Sequence, residues 1–174
     1  METLVNQEKN QKTVRVFTWI LIVIASLSIL AGIAGIIGSY FLNSAQEYFE
    51  TMPGKAAFTL NMTPIIIINS IKILISVFIL LSAIFVLQYK EIWRKQIIIG
   101  LILAIAYLLV SPLVNYFDLL QIHYTGNENI SQQMQDMAKT ASLIFSYGWS
   151  VLFSVFFIVA IVKYNNKDIK LLFK

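Results

Sequence analysis

The sequence contains no cysteine and a single histidine among its 174 residues. Without thiols, the chain can form neither disulfide bonds nor cysteine-based metal sites. One imidazole, that of His123, makes a poor metal site by itself. The chain also lacks a glycine-rich phosphate loop, a serine nucleophile elbow and a zinc-binding motif. We therefore predict no catalytic residue, no metal and no cofactor, and we do not expect an enzyme.

Charged residues are scarce as well. They make up 13% of the chain, whereas 58% of the residues are hydrophobic and the mean hydropathy is +0.75. A soluble domain carries roughly 25% charged residues. Four apolar runs each supply the ~20 residues with which a helix crosses a bilayer. The first run is too long for the core of a signal peptide, so we expect it to be retained.

The expected fold is all-α: one transmembrane domain, 1–174, that forms an integral membrane four-helix bundle. The spans are predicted at approximately 14–42, 64–89, 97–120 and 138–163. Polar, helix-compatible sequence after span 1 and before span 4 predicts that helices 1 and 4 extend on the outer side of the membrane.

The basic residues are distributed unevenly along the chain. Most of the 13 Lys and Arg residues flank the spans on one side of the membrane: Lys9, Lys12, Arg15, Lys90, Arg94, Lys95, Lys163, Lys167, Lys170 and Lys174. Because basic residues accumulate in cytoplasmic segments, the N- and C-termini are both predicted to be cytoplasmic. The net charge of +4 then faces the inner leaflet, so anionic lipid is the expected partner and nucleic acid is not. The richness in isoleucine and lysine is typical of AT-rich bacterial genomes and predicts a multi-pass protein of a bacterial inner membrane.

Small residues recur on one face of span 1, at Ser28, Gly32, Gly35 and Ser39. Such a face allows two helix backbones to approach closely in a bilayer, where no hydrophobic effect draws helices together. The pattern is compatible with a dimer interface or a hinge, and equally with packing inside the bundle.

Four serines follow one another on span 4 at intervals of four residues, namely Ser142, Ser146, Ser150 and Ser154. Each hydroxyl can bond a carbonyl of its own helix or reach a neighbouring helix. The stripe is compatible with the polar lining of a pore or substrate path, and also with a seam packed against span 1. We expect it to be buried or to face a lumen rather than lipid.

Lys72 lies inside the apolar second span, where an ionisable side chain is costly and often functional. Asn69 and Ser76 share its helix face, and Ser111, Asn115 and Asp118 of span 3 lie at a similar level. We predict that this set forms an intramembrane polar site. The lysine either is a structural residue that snorkels or is ion-paired, or it is an anion or proton site. If Ile65–Ile68 contact lipid, Lys72 lies deep; if protein covers them, it lies near the surface.

Span 3 also contains Pro112, directly after Ser111. Proline removes one helix hydrogen bond and clashes with the carbonyl four residues earlier, so a kink is expected. The alternatives are a broken helix beside a binding site, as in some transporters, and a static kink.

We expect a small, non-enzymatic membrane protein that acts through helix–helix association, as an oligomer or as an accessory to a membrane partner protein. The small-residue face and the serine stripe carry this expectation. The alternative is a small channel or transporter whose path contains Lys72, Asn115, Asp118 and the serine stripe. One observation separates the two, because a transporting subunit requires the polar faces to converge on a cavity.

Overall fold

We describe the protein from a computed structural model, over residues 2–50, 62–120 and 128–173. For residues 2–6, 46, 47, 49, 50, 62, 115–120, 128–136, 138 and 139 the description is limited to the helical backbone. Five helices follow in order: α1 (Glu2–Glu50), α2 (Met62–Val86), α3 (Glu91–Leu120), α4 (Glu128–Asn165) and the short α5 (Lys167–Lys170). The described residues contain no β-strand.

Four of these helices are long and apolar enough to cross a membrane, over Gln7–Ala45, Thr63–Val86, Glu91–Val114 and Thr140–Asn165. Their outward faces carry large apolar side chains. Leu30, Leu74 and Val162, for example, are each more than 60% exposed. A soluble monomer rarely exposes such a continuous apolar surface, whereas a bilayer accommodates it. The prediction of an all-helical fold with four helices that could span a membrane is therefore confirmed.

The helix bounds differ from the predicted spans at the connection between α2 and α3. Helix α2 ends at Val86 instead of 89, and α3 begins at Glu91 instead of 97. The chain reverses at Tyr89, whose positive φ of 55° is the left-handed conformation that commonly ends a helix. Glu91 then lies in the first turn of α3, where the helix dipole favours a carboxylate.

Helices α1 and α4 are longer than a bilayer requires. At ~1.5 Å per residue, the 49 residues of α1 measure about 74 Å and the 38 residues of α4 about 57 Å. Both extend beyond the spans at the predicted ends, since α1 continues to Glu50 and α4 starts at Glu128. Helix α1 also extends in the other direction, to Glu2, which the hydropathy did not predict. An exposed ion pair between Lys12 and Glu8, at 3.0 Å and one turn apart, supports this extra segment.

Consecutive long helices pack as antiparallel neighbours: α1 on α2, α2 on α3, and α3 on α4. The start of α1, the α2–α3 connection and the end of α4 therefore share one end of the bundle. We call it the basic end, because Arg15, Arg94 and Lys163 lie there. Helices α1 and α4 meet near this end, through the stacked rings of Phe17 and Phe156 at 6.1 Å.

The apolar core is concentrated in the half of the bundle next to the basic end. Its buried members include Val14, Leu21, Ala83, Val86, Ile97, Leu101, Phe157 and Ala160. The C-terminal segment covers the core at the basic end, because Ile169 and Phe173 are buried and the Phe173 ring lies 5.7 Å from that of Tyr89. The tightly packed half of the molecule thus ends roughly midway along the helices.

Candidate functional site

The four long helices enclose a cavity of about 480 Å³ in the half of the bundle away from the basic end. Its wall is built from residues 21–28 of α1, 68–79 of α2, 104–111 of α3 and 142–157 of α4. Small-molecule sites typically have volumes of ~300–1,000 Å³. The cavity therefore has room for a small organic solute.

Polar side chains from all four helices converge on this cavity. They are Ser28, Asn69, Lys72, Ser76, Tyr107, Ser111, Ser142, Ser146 and Ser150. The second-span cluster around Lys72, Ser111 of α3 and most of the serine stripe of α4 thus line the same space, although they are far apart in the chain.

Lys72 is the only charged residue that the described part of the chain contributes to the cavity wall. The carboxylates whose side chains are described, Glu8, Glu91 and Asp168, all belong to the basic end. None of them forms an ion pair with Lys72. Within the described residues, the lysine is therefore a positive charge without a negative partner.

The depth of Lys72 follows from the outward face of α2. An exposed apolar stripe runs along this helix: Ile67, Ile71, Leu74, Val77, Leu81 and Ile84. The stripe is about 26 Å long at ~1.5 Å per residue, and Lys72 lies only about 5 Å from its middle. Of the four isoleucines Ile65–Ile68, Ile67 is 52% exposed and the other three are half-buried. The exposure of Ile67 is compatible with lipid contact, the condition under which Lys72 is predicted to lie deep.

Asn69 and Ser76 lie one turn on either side of Lys72. The Asn69 side-chain Nδ2 donates a hydrogen bond of 2.9 Å to the Ile65 carbonyl, which fixes the amide beside the cavity. Ser76 is buried against the wall, at 7% exposure. The lysine is therefore flanked by polar groups along α2.

The serine stripe crosses from the open part of the cavity into the core. Ser142 is exposed, Ser146 is half-buried and Ser150 is 4% exposed, and all three line the cavity. Ser154 lies one turn further on and does not line the cavity, although its neighbours Phe153 and Phe157 do. Its Oγ is buried and has no hydrogen-bond partner among the described residues. Three of the four serines therefore give the cavity a graded polar wall.

The small-residue face of α1 divides between two roles. Ser28 lines the cavity. Gly32 and Gly35 instead pack against α2, where an added Cβ at Gly35 would lie 2.7–2.8 Å from the Asn69 side chain. Ser39 is buried at 2% exposure and donates to the Ile36 carbonyl at 2.7 Å. Gly32 and Gly35 thus allow α1 and α2 to approach each other closely.

Span 3 contributes Ser111 and, one turn earlier, Tyr107, which both line the cavity. Helix α3 continues without interruption through the buried Pro112 to Leu120, so the broken-helix alternative is not observed. The side chains of Asn115 and Asp118, predicted as partners of Lys72, lie outside the described residues.

The aromatic part of the cavity wall was not foreseen. Phe145, Trp149, Phe153 and Phe157 form a continuous row on α4, with successive ring centroids 6.2, 5.5 and 6.3 Å apart. The signal is present in the sequence, because an aromatic residue directly precedes Ser146, Ser150 and Ser154 in the chain. Phe145 and Trp149 are 69% and 50% exposed, so the cavity is not sealed along α4.

The basic end closes the cavity from one side. Leu21, Ile79, Ala104 and Phe157 form an apolar floor. Beneath it, the buried hydroxyls of Thr18 and Tyr164 are 2.8 Å apart. The Thr18 hydroxyl already donates to the Val14 carbonyl at 2.7 Å, so Tyr164 is the donor in this pair. The path through the bundle is therefore blocked by packed side chains.

This buried pair yields a stability prediction. Replacing Thr18 with Val leaves the Tyr164 hydroxyl without its acceptor, which costs about 1–2 kcal/mol of the free energy of unfolding. Tyr164→Phe should cost less, because the Thr18 hydroxyl keeps its hydrogen bond to the Val14 carbonyl. The double variant should cost clearly less than the sum, because neither polar group then remains unpaired. A double-mutant cycle in denaturation experiments measures this, and strictly additive losses would contradict it.

Comparison with known proteins gives no relative from which a role can be transferred. No family model matches the chain. No curated protein and no solved structure matches it either. The residues that line the cavity are therefore the basis for inferring what it binds.

Proposed function

We propose that this protein is a small membrane transporter that binds an anionic solute in the central cavity. The proposal rests on one observation: Lys72 and the serine stripe of α4 line the same cavity. An ammonium group and several hydroxyls are hydrogen-bond donors, and charge-assisted hydrogen bonds to an anion are among the strongest that a protein makes.

The position of Lys72 supports an anion site over a structural lysine. A charge near the middle of a bilayer costs at least ~2.5 kcal/mol, so it requires compensation. The cavity supplies space for water and a solute that can provide it. The apolar and aromatic lining favours an anion that also carries an apolar group.

A carrier accounts for the geometry better than an open channel. The cavity ends at the apolar floor and the Thr18–Tyr164 pair. With the basic end in the cytoplasm, beside anionic lipid of the inner leaflet, the cavity occupies the outer half of the membrane. Passage would then require the packed side chains at the cytoplasmic end to separate, as in alternating access.

Helix–helix association remains the alternative, although the two features that suggested it also have contacts within the single chain. Gly32 already packs against Ile73 within the bundle, and the serine stripe faces the cavity. These contacts within the chain support the transporter proposal, and the oligomeric state in membranes tests the alternative.

Transport should depend on the charge at Lys72. We expect proteoliposomes containing the wild type to take up benzenesulfonate, a permanently charged organic anion, with saturable kinetics. Lys72→Met, which keeps the length of the side chain and removes its charge, should lower the initial rate at least about tenfold. Radiolabelled uptake measures the rates.

Lys95→Met is the matched control, because Lys95 is 66% exposed at the basic end and far from the cavity. Its rate should equal that of the wild type. Equal uptake by wild type and Lys72→Met would overturn the proposal. Uptake no faster than that of protein-free liposomes would overturn it too.

A further inference from the structure

A second, almost wholly apolar groove of about 550 Å³ lies between α2 and α3. It runs from Thr63 to Ile75 on α2 and from Leu103 to Val114 on α3. These segments are about 17 Å long at ~1.5 Å per residue. Ile67, Ile71 and Val110, which line it, are exposed on the outward surface that the bilayer would cover. The groove is therefore open to the hydrocarbon of the membrane.

This groove and the central cavity share four wall residues: Ile68, Ile75, Tyr107 and Ser111. A single layer of side chains thus separates the lipid-facing groove from the space around Lys72. None of the four is fully buried. Nearer the basic end, α2 and α3 are in tight contact, since an added Cβ at Gly100 would lie 2.9 Å from Ile79. The seam between α2 and α3 is therefore tightly packed near the basic end. Further from that end, the central cavity lies on one side of the seam and the apolar groove on the other.

The chemistry differs sharply across this seam. The cavity side contains the Lys72 ammonium group and several hydroxyls. The other side is the apolar groove, which is about as long as half a bilayer is thick. A ligand that satisfies both sides at once has an anionic head and one apolar chain.

We propose that the anion bound at Lys72 is the head of a single-chain amphiphile that enters from the bilayer through the α2–α3 seam, with its chain in the groove. This inference rests on the proposed anion site and adds the source and class of the ligand. The chain contributes binding free energy through the apolar groove, and the head reaches Lys72 between Ile68 and Tyr107.

Tryptophan fluorescence can test the proposal in the whole protein. Trp149 lines the cavity, whereas Trp19 and Trp93 do not. In the Trp19→Phe/Trp93→Phe background, reconstituted in nanodiscs of zwitterionic lipid, Trp149 reports on ligands that carry a bromine beside the polar head. We would compare bromododecanesulfonate, bromoethanesulfonate and the uncharged bromododecanol.

We expect bromododecanesulfonate to quench Trp149 saturably and to bind at least about tenfold more tightly than bromoethanesulfonate. Lys72→Met should weaken its binding by a similar factor and leave the weak quenching by bromododecanol unchanged. Ala106→Phe fills the groove without touching the cavity, because Ala106 lines only the groove. It should weaken the long-chain anion several-fold and leave the short one unaffected. The control is Ala34→Phe, an exposed alanine of α1 that lines neither space.

The outcomes separate the two proposals. If the short anion binds in a Lys72-dependent manner and the long one binds no more tightly, the amphiphile inference fails and the anion site stands. If Ala106→Phe leaves long-chain binding unchanged, the groove assignment fails. If the long anion binds through Lys72 but proteoliposomes take up no anion, transport fails and the amphiphile site stands. If neither anion quenches Trp149, both fail.

Discussion

Arg94→Met should lower the free energy of unfolding by about 3 kcal/mol, because it removes a buried charge that holds two helices together. The Arg94 guanidinium is buried at 5% exposure and binds both carboxylate oxygens of Glu91, with Nε to Oε2 at 2.6 Å. Its Nη1 also donates to the Tyr164 carbonyl at 3.0 Å. That carbonyl belongs to the last turn of α4, whose carbonyls have no partner within the helix. One side chain therefore joins α3 to the end of α4.

Lys95→Met provides the control for this prediction. Lys95 approaches the same Glu91 carboxylate at 3.9 Å, but its side chain is 66% exposed and does not make the bond to α4 that Arg94 makes. An exposed ion pair contributes about 0–1 kcal/mol. Denaturation of both variants in mixed micelles measures the difference. Equal stabilities of the two variants would show that the contact with α4 contributes nothing.

Gly32→Val should lower the free energy of unfolding by about 1–3 kcal/mol, because it forces α1 and α2 apart. An ideal Cβ at Gly32 lies 2.6 Å from Ile73 Cγ1 and 3.4 Å from the Asn69 backbone oxygen. The contacted Cγ1 is bonded directly to the branched Cβ of Ile73, whose χ1 has one strongly preferred rotamer in a helix, so the side chain cannot easily move away from the added carbon. The same displacement would shift Asn69 and its neighbour Lys72 at the cavity.

Gly38→Val is the matched control on the same helix. Among the described residues, no atom outside the adjoining turns of α1 lies within 4 Å of a Cβ built at Gly38. Both substitutions replace a helical glycine with the same β-branched residue, so their effects on helix propensity cancel in the comparison. Gly38→Val should therefore retain the wild-type stability. If Gly32→Val changed only an oligomeric state and not the unfolding of the single chain, the glycines would serve an interface between copies.

Much of the candidate site could be found in the sequence, one helix at a time. Lys72 stands out because a charge within an apolar run is costly, and Asn69 and Ser76 follow from its helical face. The serine stripe is equally visible from its four-residue spacing. Tyr107 and Trp149 were missed because aromatic residues are common in membrane helices and carry no signal until a cavity lies beside them. The proposal that the stripe serves transport rather than packing also needed the cavity.

The sequence by itself determined that the chain forms four long apolar helices with most of its basic residues at one end. Both properties are local: a helix satisfies its own backbone hydrogen bonds, and ~20 apolar residues suffice to cross hydrocarbon. The tertiary structure alone decided which faces meet. A row of small residues on one helix face shows that another helix can pack there, but not which helix does. The glycines of α1 were therefore compatible with a dimer as well as with a bundle. Their contact with Ile73 and Asn69 brings α1 against α2 and leaves Lys72 facing the serines of α4 across a cavity.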